Sequence, residues 1–238
     1  MSKIPAAFTD SAKRRVYGRR LGRPMGETRQ AAIDVVLPKL TLREEDVAVE
    51  KSFSPNTLFQ TQKDVVLEIG FGNGEHLKAM MEQRPDRNYI GAEPFINGMS
   101  AFLKSISDIP HDNVRVWMDD AVTMVKSFIN ESLSAIYILN PDPWPKKKHH
   151  KRRIVRLETL NEYHRTLKPG GRLVMATDVD DLAEWMVTET INHGGFEWQA
   201  ERAKDWQEMP ADWFITTRYA AKGTAAGRKE TYLLFTKK

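Results

Sequence analysis

Short apolar runs of strand type alternate with amphipathic stretches of helical length through most of the chain. Runs rich in β-branched and aromatic residues are typical of buried strands. Five such runs are DVVLEI (64–69), NYIGAE (88–93), NVRVWM (113–118), LSAIYILN (133–140) and RLVMATD (172–178). Apolar residues at i+3 and i+4 spacing, which are typical of helices, occur at 75–84, 94–107, 121–129, 153–167 and 183–191.

This alternation predicts an α/β fold with a doubly wound, mainly parallel sheet and helices on both faces. Two further strand-like runs, at 214–219 and 230–235, are joined by a glycine-containing loop. They predict an antiparallel C-terminal hairpin that completes a seven-stranded sheet. Sheets of this kind bind ligands beyond the carboxyl ends of their parallel strands, so residues that directly follow a strand are the first candidates for chemistry.

The amino-terminal region has a different character from the rest of the chain. Residues 1–30 show no sustained apolar period, and Gly18, Gly22, Gly26 and Pro24 interrupt a run of basic residues. We predict a flexible basic arm over 1–30 and a single domain over 31–238, entered through a short helix or bent segment at 30–42. The 238 residues are enough for one domain with a full core.

Composition excludes several classes of protein. The chain has no cysteine, which excludes disulfides, thiolate catalysis and zinc sites built on sulfur, and its six histidines show no metal-ligand spacing, so we predict no metal. No apolar run approaches the roughly 20 residues that span a bilayer, and the first residues lack the apolar segment of a secretory signal. We therefore expect a cytoplasmic protein without a membrane partner. No obligate protein partner is indicated, and both a monomer and a homodimer fit.

Positive charge is concentrated in two clusters, although the net charge is only +4. One cluster lies within the arm between Lys13 and Arg29, and the other runs from Lys146 to Arg156 with no acidic residue between Asp142 and Glu158. Such concentration is typical of surfaces that bind nucleic-acid phosphates, because each neutralised phosphate releases a counterion. The alternative interpretation is an ordinary solvated surface.

The first strand leads into a glycine-rich loop, with glycine at 70, 72 and 74. In the dinucleotide fingerprint the next glycine would stand at Glu75, so the spacing disfavours a nicotinamide dehydrogenase. The loop is instead similar to the Gly-x-Gly-x-Gly loop of S-adenosylmethionine-dependent methyltransferases, with Glu68 and Glu93 as carboxylates for the amino and ribose groups. After the third strand, Asp120 is a candidate acceptor for an adenine amine, while Asp119 is a candidate helix N-cap.

The fourth strand is followed by NPDPWPKKKHHKRR, from Asn140 to Arg153. Three prolines in five residues exclude a helix and hold Asp142 and Trp144 on a stiff turn. A carboxylate at a strand end beside a cationic run is a candidate catalytic group. Trp144 either stacks on a base or packs under its own loop.

Together, the segments PDPWPKKKHHKRRIV, LEIGFGNG, IGAEPF, MDDA, MATD and TTRYAAKG resemble the bacterial tRNA (guanine-N7-)-methyltransferase family from about Val65 onward. The resemblance implies a Rossmann-like class I methyltransferase fold. It also implies methyl transfer from S-adenosylmethionine to a guanine in the tRNA variable loop, with S-adenosylhomocysteine as product and tRNA as partner.

The same resemblance implies roles for individual residues. Asp142 takes a catalytic role. The cofactor-binding residues are Glu68, Gly70, Gly72, Gly74, Glu93, Asp120 and Asp142. The substrate-binding residues are Lys146, Lys148, His149, His150, Lys151, Arg152, Arg153, Asp178, Thr217 and Arg218.

One position departs from the family pattern, because Ala220 stands where the family usually has a glutamate. Asp178 or a neighbour such as Glu230 takes over that role, or substrate affinity is weaker, or the alignment shifts locally. Ala220 also supports an alternative function, a catalytically weak RNA-binding protein on a methyltransferase fold.

Overall fold

A seven-stranded sheet forms the centre of the protein in the computed structural model, which describes residues 17–47, 52–210 and 215–238. The strand order is β3-β2-β1-β4-β5-β7-β6. The strands are β1 (Asp64–Ile69), β2 (Arg87–Ala92), β3 (Val114–Trp117), β4 (Leu133–Leu139), β5 (Leu167–Thr177), β6 (Phe196–Trp198) and β7 (Thr231–Lys237).

Strands β1 to β5 run parallel, whereas β7 runs antiparallel to both β5 and β6. The chain winds outward from β1 to β3 on one side and from β4 to β5 on the other. The point where these directions diverge lies between β1 and β4, and this is where doubly wound sheets bind ligands. The predicted fold class is confirmed.

Helices cover both faces of the sheet. Val66 packs in one core with Ile33 and Met99, whereas Leu67 packs in the other with Met124, because side chains alternate along a strand. The helices are α1 (Glu27–Val35), α2 (Leu37–Leu40), α3 (Glu75–Gln83), α4 (Ile96–Ile106), α5 (Ala121–Lys126), α6 (Leu157–Thr166), α7 (Asp180–His193), α8 (Lys204–Gln207) and α9 (Arg218–Ala225). Short 3₁₀ helices occur at Pro55–Leu58 and Lys147–Arg152.

The C-terminal hairpin differs from the prediction. The strand predicted at 214–219 is wrong over its described part, because α9 begins at Arg218 and the Thr217 side chain caps it by accepting a hydrogen bond from Ala220 N at 3.2 Å. Threonine is a favoured N-cap and alanine a strong helix former, and these outweigh the strand preference of Thr and Tyr. The antiparallel partner of β7 is instead β6, a three-residue strand that the sequence pattern did not predict.

The amino-terminal region enters the fold earlier than residue 30. Helix α1 begins at Glu27, inside the segment predicted as the arm, and the predicted bent segment at 30–42 corresponds to α1 and α2. Ahead of α1, the backbone oxygens of Arg20 and Arg23 accept hydrogen bonds from Ile96 N and Asn97 Nδ2 at 3.1 and 2.8 Å. Residues 1–16, with the first part of the basic cluster, lie outside the described residues.

Over the described ranges, no helix has both the length and the apolar character that crossing a bilayer requires.

Candidate active site

A cavity of about 1200 Å³ opens at the carboxyl ends of β1 to β4. Each of these strands contributes residues that directly follow it: Gly70 after β1, Glu93 after β2, Asp120 after β3, and Asn140 to Asp142 after β4. The cavity therefore lies where the sheet topology places ligands, and it collects several of the residues predicted from the sequence.

Two glycines of the glycine-rich loop leave open space at the cavity. Gly70 and Gly72 have positive φ angles of 74° and 57°, and a Cβ atom added at either would meet nothing within 4 Å. A ligand can therefore lie directly against this backbone. Gly74 has a different role, because a Cβ there would lie 2.2 Å from Phe102 Cδ2, so this glycine allows α3 to pack against α4.

Glu93 joins the end of β2 to the glycine-rich loop. Its Oε2 accepts a hydrogen bond from Gly72 N and its Oε1 accepts one from Phe95 N, both at 2.8 Å. Burial raises the pKa of Glu93 to about 7, and the two backbone hydrogen bonds oppose that rise. This carboxyl group therefore lies on the cavity wall with its orientation fixed, and it can accept hydrogen bonds from ligand hydroxyl groups.

Glu68 does not reach the cavity. Its side chain is buried, and Oε2 lies 3.1 Å from Nδ1 of His76 on α3. One oxygen of the Glu68 carboxylate is thus occupied by the helix that follows the glycine-rich loop, and its contact with a cofactor amino group stays a prediction. Glu68 anchors α3, which begins directly after the glycine-rich loop.

Asp120, and not Asp119 as predicted, is the helix N-cap in this turn. Asp120 is the N-cap of α5, with Oδ1 accepting from Val122 N at 3.0 Å, and it also lines the cavity. Oδ1 of Asp119 accepts a hydrogen bond from Asp120 N at 2.8 Å, which orders the turn between β3 and α5. Burial raises the pKa of Asp120.

The proline-rich turn after β4 brings Asp142 to the cavity. Asn140 and Trp144 on either side of it have φ angles of 50° and 44°, which are uncommon for residues other than glycine. Backbone of this kind is concentrated at functional sites. Desolvation raises the pKa of Asp142, and the backbone at Gly18 passes so close that an added Cβ would lie 3.4 Å from Asp142 Oδ2.

Trp144 packs within its own loop. The guanidinium carbon of Arg152 lies 4.9 Å from the centroid of the Trp144 ring and 5.0 Å from that of Tyr17. These cation–π contacts join the described end of the amino-terminal region to the proline-rich turn. Of the two interpretations of Trp144, the structure favours packing under the loop.

Arg153 is placed differently from its neighbour. It is only 1% exposed, its Nε donates to the Pro143 oxygen at 2.9 Å, and its Nη2 pairs with Asp181. Its guanidinium carbon also lies 4.9 Å from the centroid of the Trp185 ring. The predicted contact of Arg153 with RNA is contradicted by this burial, and its observed role is to tie the proline-rich turn to α7.

The remaining residues of the basic segment form a cationic shelf beside the cavity, which we define as Lys146 to Arg152. Lys146, Lys148 and Lys151 are exposed, whereas His149 and His150 are half-buried. His150 and Lys151 line the cavity together with Arg152. Desolvation and the surrounding cations lower the pKa of His149, so this ring adds little positive charge of its own near neutral pH.

Asp178, Thr217 and Arg218 lie apart from the cavity, around the ends of β5 and α9. Asp178 is buried and pairs with Arg228 Nε at 2.6 Å. Arg218 is exposed, and its backbone N and side-chain Nε contact the Glu75 carboxylate at 2.6 and 2.9 Å. Glu75, which follows the glycine-rich loop, therefore connects that loop to the start of α9.

Sequence reasoning missed four residues around the site: Tyr17, Glu75, Asn140 and Arg228. Nothing in the sequence pattern indicates the contacts of these four residues, because each contacts a residue that is far away in the chain and belongs to a different element. For metals, the described residues contain no group of three or more histidine, aspartate or glutamate side chains that could hold an ion.

Comparison with known proteins shows which family the chain resembles. Residues 62–233 match a family model described as "Putative methyltransferase". A tRNA (guanine-N(7)-)-methyltransferase of Rhodospirillum rubrum is 39% identical over 233 residues, which covers 98% of this chain and 90% of the relative. The protein of the same name from Bartonella quintana is 42% identical, with coverage of 93% and 95%.

Solved structures share the fold at low sequence identity. The 16S rRNA methyltransferase KamB aligns with a TM-score of 0.58 at 15% identity, covering 76% of this chain and 91% of its own. An antibiotic-related methyltransferase aligns with a TM-score of 0.52 at 18% identity, with coverage of 76% and 90%. These likenesses show the architecture alone.

Proposed function

Because the chain belongs to the tRNA (guanine-N(7)-)-methyltransferase family, we propose that it transfers a methyl group from S-adenosylmethionine to N7 of a guanine in the variable loop of tRNA. One observation carries the proposal. The cavity formed by the glycine-rich loop has Asp142 at its wall and the cationic shelf at its side.

The residues around the cavity fit S-adenosylmethionine. The open space in front of Gly70 and Gly72 accepts a ligand against the backbone. The Glu93 carboxylate suits the ribose hydroxyl groups, and Asp120 suits the adenine amine. When bound, S-adenosylmethionine supplies an electrophilic methyl group on a sulfonium sulfur.

The reaction requires the protein to align the methyl group with guanine N7 and to stabilise the charge that develops, and little else. Guanine N7 carries a free lone pair, so no side chain has to remove a proton before it attacks. Fixing the two reactants in line within one cavity recovers much of the entropic barrier. The purine becomes positively charged, and the Asp142 carboxylate at the cavity wall stabilises that charge. The arriving charge also favours the ionised form of Asp142, which desolvation alone disfavours.

The cationic shelf seats the RNA. Its lysines are exposed and no acidic residue interrupts it, so phosphates can approach it directly. We assign Asp178, Thr217 and Arg218, which lie around the end of β5 and the start of α9, to contacts with the base and its neighbours. A base buried in folded tRNA has to leave its stack to reach this cleft. We place the reaction in the cytoplasm, and we assign RNA contact to the basic residues of the 1–30 arm.

Transfer of label from S-adenosylmethionine to unmodified tRNA tests the proposal. The purified protein is incubated with both, and the modified nucleotide is mapped by the chemical strand cleavage that 7-methylguanosine permits. The expected result is one labelled 7-methylguanosine in the variable loop. Binding of tRNA without any transfer would favour the alternative of a catalytically weak RNA-binding protein, and label at another atom would contradict the proposal.

A further inference from the structure

The carboxyl edge of the sheet continues beyond the cavity. Asn140 lines the cavity, and its Nδ2 donates a hydrogen bond to Glu230 Oε1 at 2.8 Å. Strand β7 is antiparallel, so its first residues lie at the same edge as the last residues of β4 and β5. The register pairs Thr177 with Thr231, which brings the preceding Glu230 to the level of Asp178.

Two carboxylates at this part of the edge differ in their partners. Asp178 is neutralised by Arg228, with 2.6 Å between Oδ2 and Nε. Glu230 is half-buried and, within the described part of the chain, forms no ion pair and has no hydrogen-bond partner at Oε2. Glu230 is thus a half-buried carboxylate whose orientation is fixed at one oxygen and whose other oxygen is open to a donor.

Asn140 provides a second indication that a ligand completes this region. Its Oδ1 is buried and has no partner among the described residues. Buried polar atoms are nearly always hydrogen-bonded in folded proteins, so this oxygen, on a residue that also lines the cavity, is a candidate acceptor for a donor on a ligand. Because the amide nitrogen is committed to Glu230, the oxygen necessarily faces elsewhere.

Tyr219 is the second residue of α9, whose first residue Arg218 contacts Glu75. Its ring is 50% exposed, and burial of the hydroxyl together with the nearby carboxylates of Asp178, Glu230 and Asp142 raises its pKa. Its exposed ring offers a flat surface for a purine.

The donors of guanine match this arrangement. Its Watson–Crick edge presents N1–H and the N2 amino group side by side, a pair that one carboxylate can accept. Adenine presents an acceptor at N1, which a carboxylate repels. We propose that Glu230, held by Asn140, selects the target base by accepting hydrogen bonds from the N1–H and N2 amino groups of guanine. The inference rests on the proposed methyl transfer and specifies its base recognition.

The test is a double-substitution cycle, in which one substitution in the enzyme is combined with one substitution in the substrate. Wild-type protein and Glu230→Gln are assayed for kcat/KM on tRNA transcripts that carry either guanine or hypoxanthine at the target position. Hypoxanthine keeps N7 and N1–H but lacks the N2 amino group. A hydrogen bond to a charged group corresponds to a factor of about 10 to 100 in kcat/KM.

For wild-type protein we expect kcat/KM to fall by about tenfold or more on the hypoxanthine transcript. Glu230→Gln should lower kcat/KM on the guanine transcript by a similar factor, and its own decrease on hypoxanthine should shrink to about threefold or less. Glu230→Asp keeps the charge and should retain the discrimination between the two bases at a lower rate. Glu197→Gln, which removes an exposed carboxylate on β6, is the matched control and should behave as wild type.

The possible failures are distinguishable. Absence of methyl transfer by the wild-type protein would contradict the proposed function itself. An active wild-type enzyme with an unchanged kcat/KM in Glu230→Gln, or with the same decrease on hypoxanthine in both proteins, would overturn the role of Glu230 alone. A Glu230→Gln protein that unfolds or no longer binds S-adenosylhomocysteine would show a structural role and would also overturn it.

Discussion

Glu93 has a structural role, and we propose that it also binds the ligand. Its two oxygens hold Gly72 and Phe95, which shapes the loop, and the same carboxyl group lines the cavity. Burial raises the pKa of this carboxyl group to about 7, well above the usual range of a glutamate. Ligand hydroxyl groups donate best to the ionised form, so the protonation state of Glu93 should control cofactor affinity near neutral pH.

The affinity for S-adenosylhomocysteine should therefore depend on pH. Below a pKa of about 7 Glu93 is mostly protonated and a poorer acceptor, and above it the carboxylate is present, so binding tightens as the pH rises. Calorimetry should show an affinity about tenfold weaker at pH 6 than at pH 8. Glu93→Gln should bind more weakly and lose this dependence, whereas an equal dependence in both proteins would exclude Glu93 as its source.

Arg152 and Arg153 are adjacent but should affect different measurements. Arg152→Gln should reduce the slope of log affinity for tRNA against log salt by about one, because one cation no longer meets a phosphate. Arg153→Gln should leave that slope unchanged, because Arg153 is buried and bonded to Pro143. It should instead lower kcat and destabilise the fold by about 2 kcal/mol, since it removes a buried charged donor. If Arg153→Gln instead reduced the slope of log affinity for tRNA against log salt, Arg153 would have to contact the RNA after all.

At the scale of elements, the glycine-rich loop depends on the close approach of α4. A Cβ at Gly98 would lie 2.4 Å from the Gly72 oxygen and 3.4 Å from Glu93 Cγ. Helix α4 therefore supports the loop from behind, and Glu93 supports it from the side.

Gly98→Ala should displace the loop and weaken S-adenosylhomocysteine binding by about tenfold or more, as expected for an overpacked contact of about 1–3 kcal/mol. Gly26→Ala is the control, since a Cβ there meets nothing within 4 Å and φ is -73°. Equal affinity in Gly98→Ala and wild type would show that the loop tolerates the shift and that this support is dispensable.

Elements with a strong local pattern could be predicted from the sequence. The β1 run at 64–69 is predicted in full, because a short run rich in β-branched residues that is followed by glycines leaves few alternatives. Helix α9 was missed because the Thr217 cap outweighs the local strand preference. Strand β6 was missed because it has only three residues and is defined by its pairing with β7, which the local pattern does not show.

Site residues that act through tertiary contacts were harder to predict. Glu68 and Glu93 both come from strand ends, yet only the fold shows that one faces His76 and the other the cavity. Arg152 and Arg153 are indistinguishable in composition, and Trp185 and Asp181, which bury one of them, lie about thirty residues further on. For the glutamate that Ala220 replaces, the sequence allows a substitute at Asp178 or Glu230, a weaker substrate affinity or a local shift of the alignment. Between the two carboxylates, the pairing of Asp178 with Arg228 and the hydrogen bond from Asn140 favour Glu230.

For the whole molecule, the sheet order separates two tasks. The ends of β3, β2, β1 and β4 form the cavity, and the ends of β4, β5 and β7 carry Asn140, Asp178 and Glu230. Asp142 lies just after β4, the strand common to both groups. The cationic shelf directly follows the same turn, so in the proposed reaction the methyl donor, the base and the phosphate backbone all meet at one segment.

Replacement of Asp142 tests this arrangement most directly. The measurement is the single-turnover rate of methyl transfer to tRNA for wild type, Asp142→Asn and Asp142→Ala, together with their affinities for S-adenosylhomocysteine and tRNA. Asp142→Asn should lower the rate by about a hundredfold or more and Asp142→Ala should abolish transfer, with cofactor affinity largely intact. Turnover close to that of the wild type in either variant would show that methyl transfer does not depend on this carboxylate.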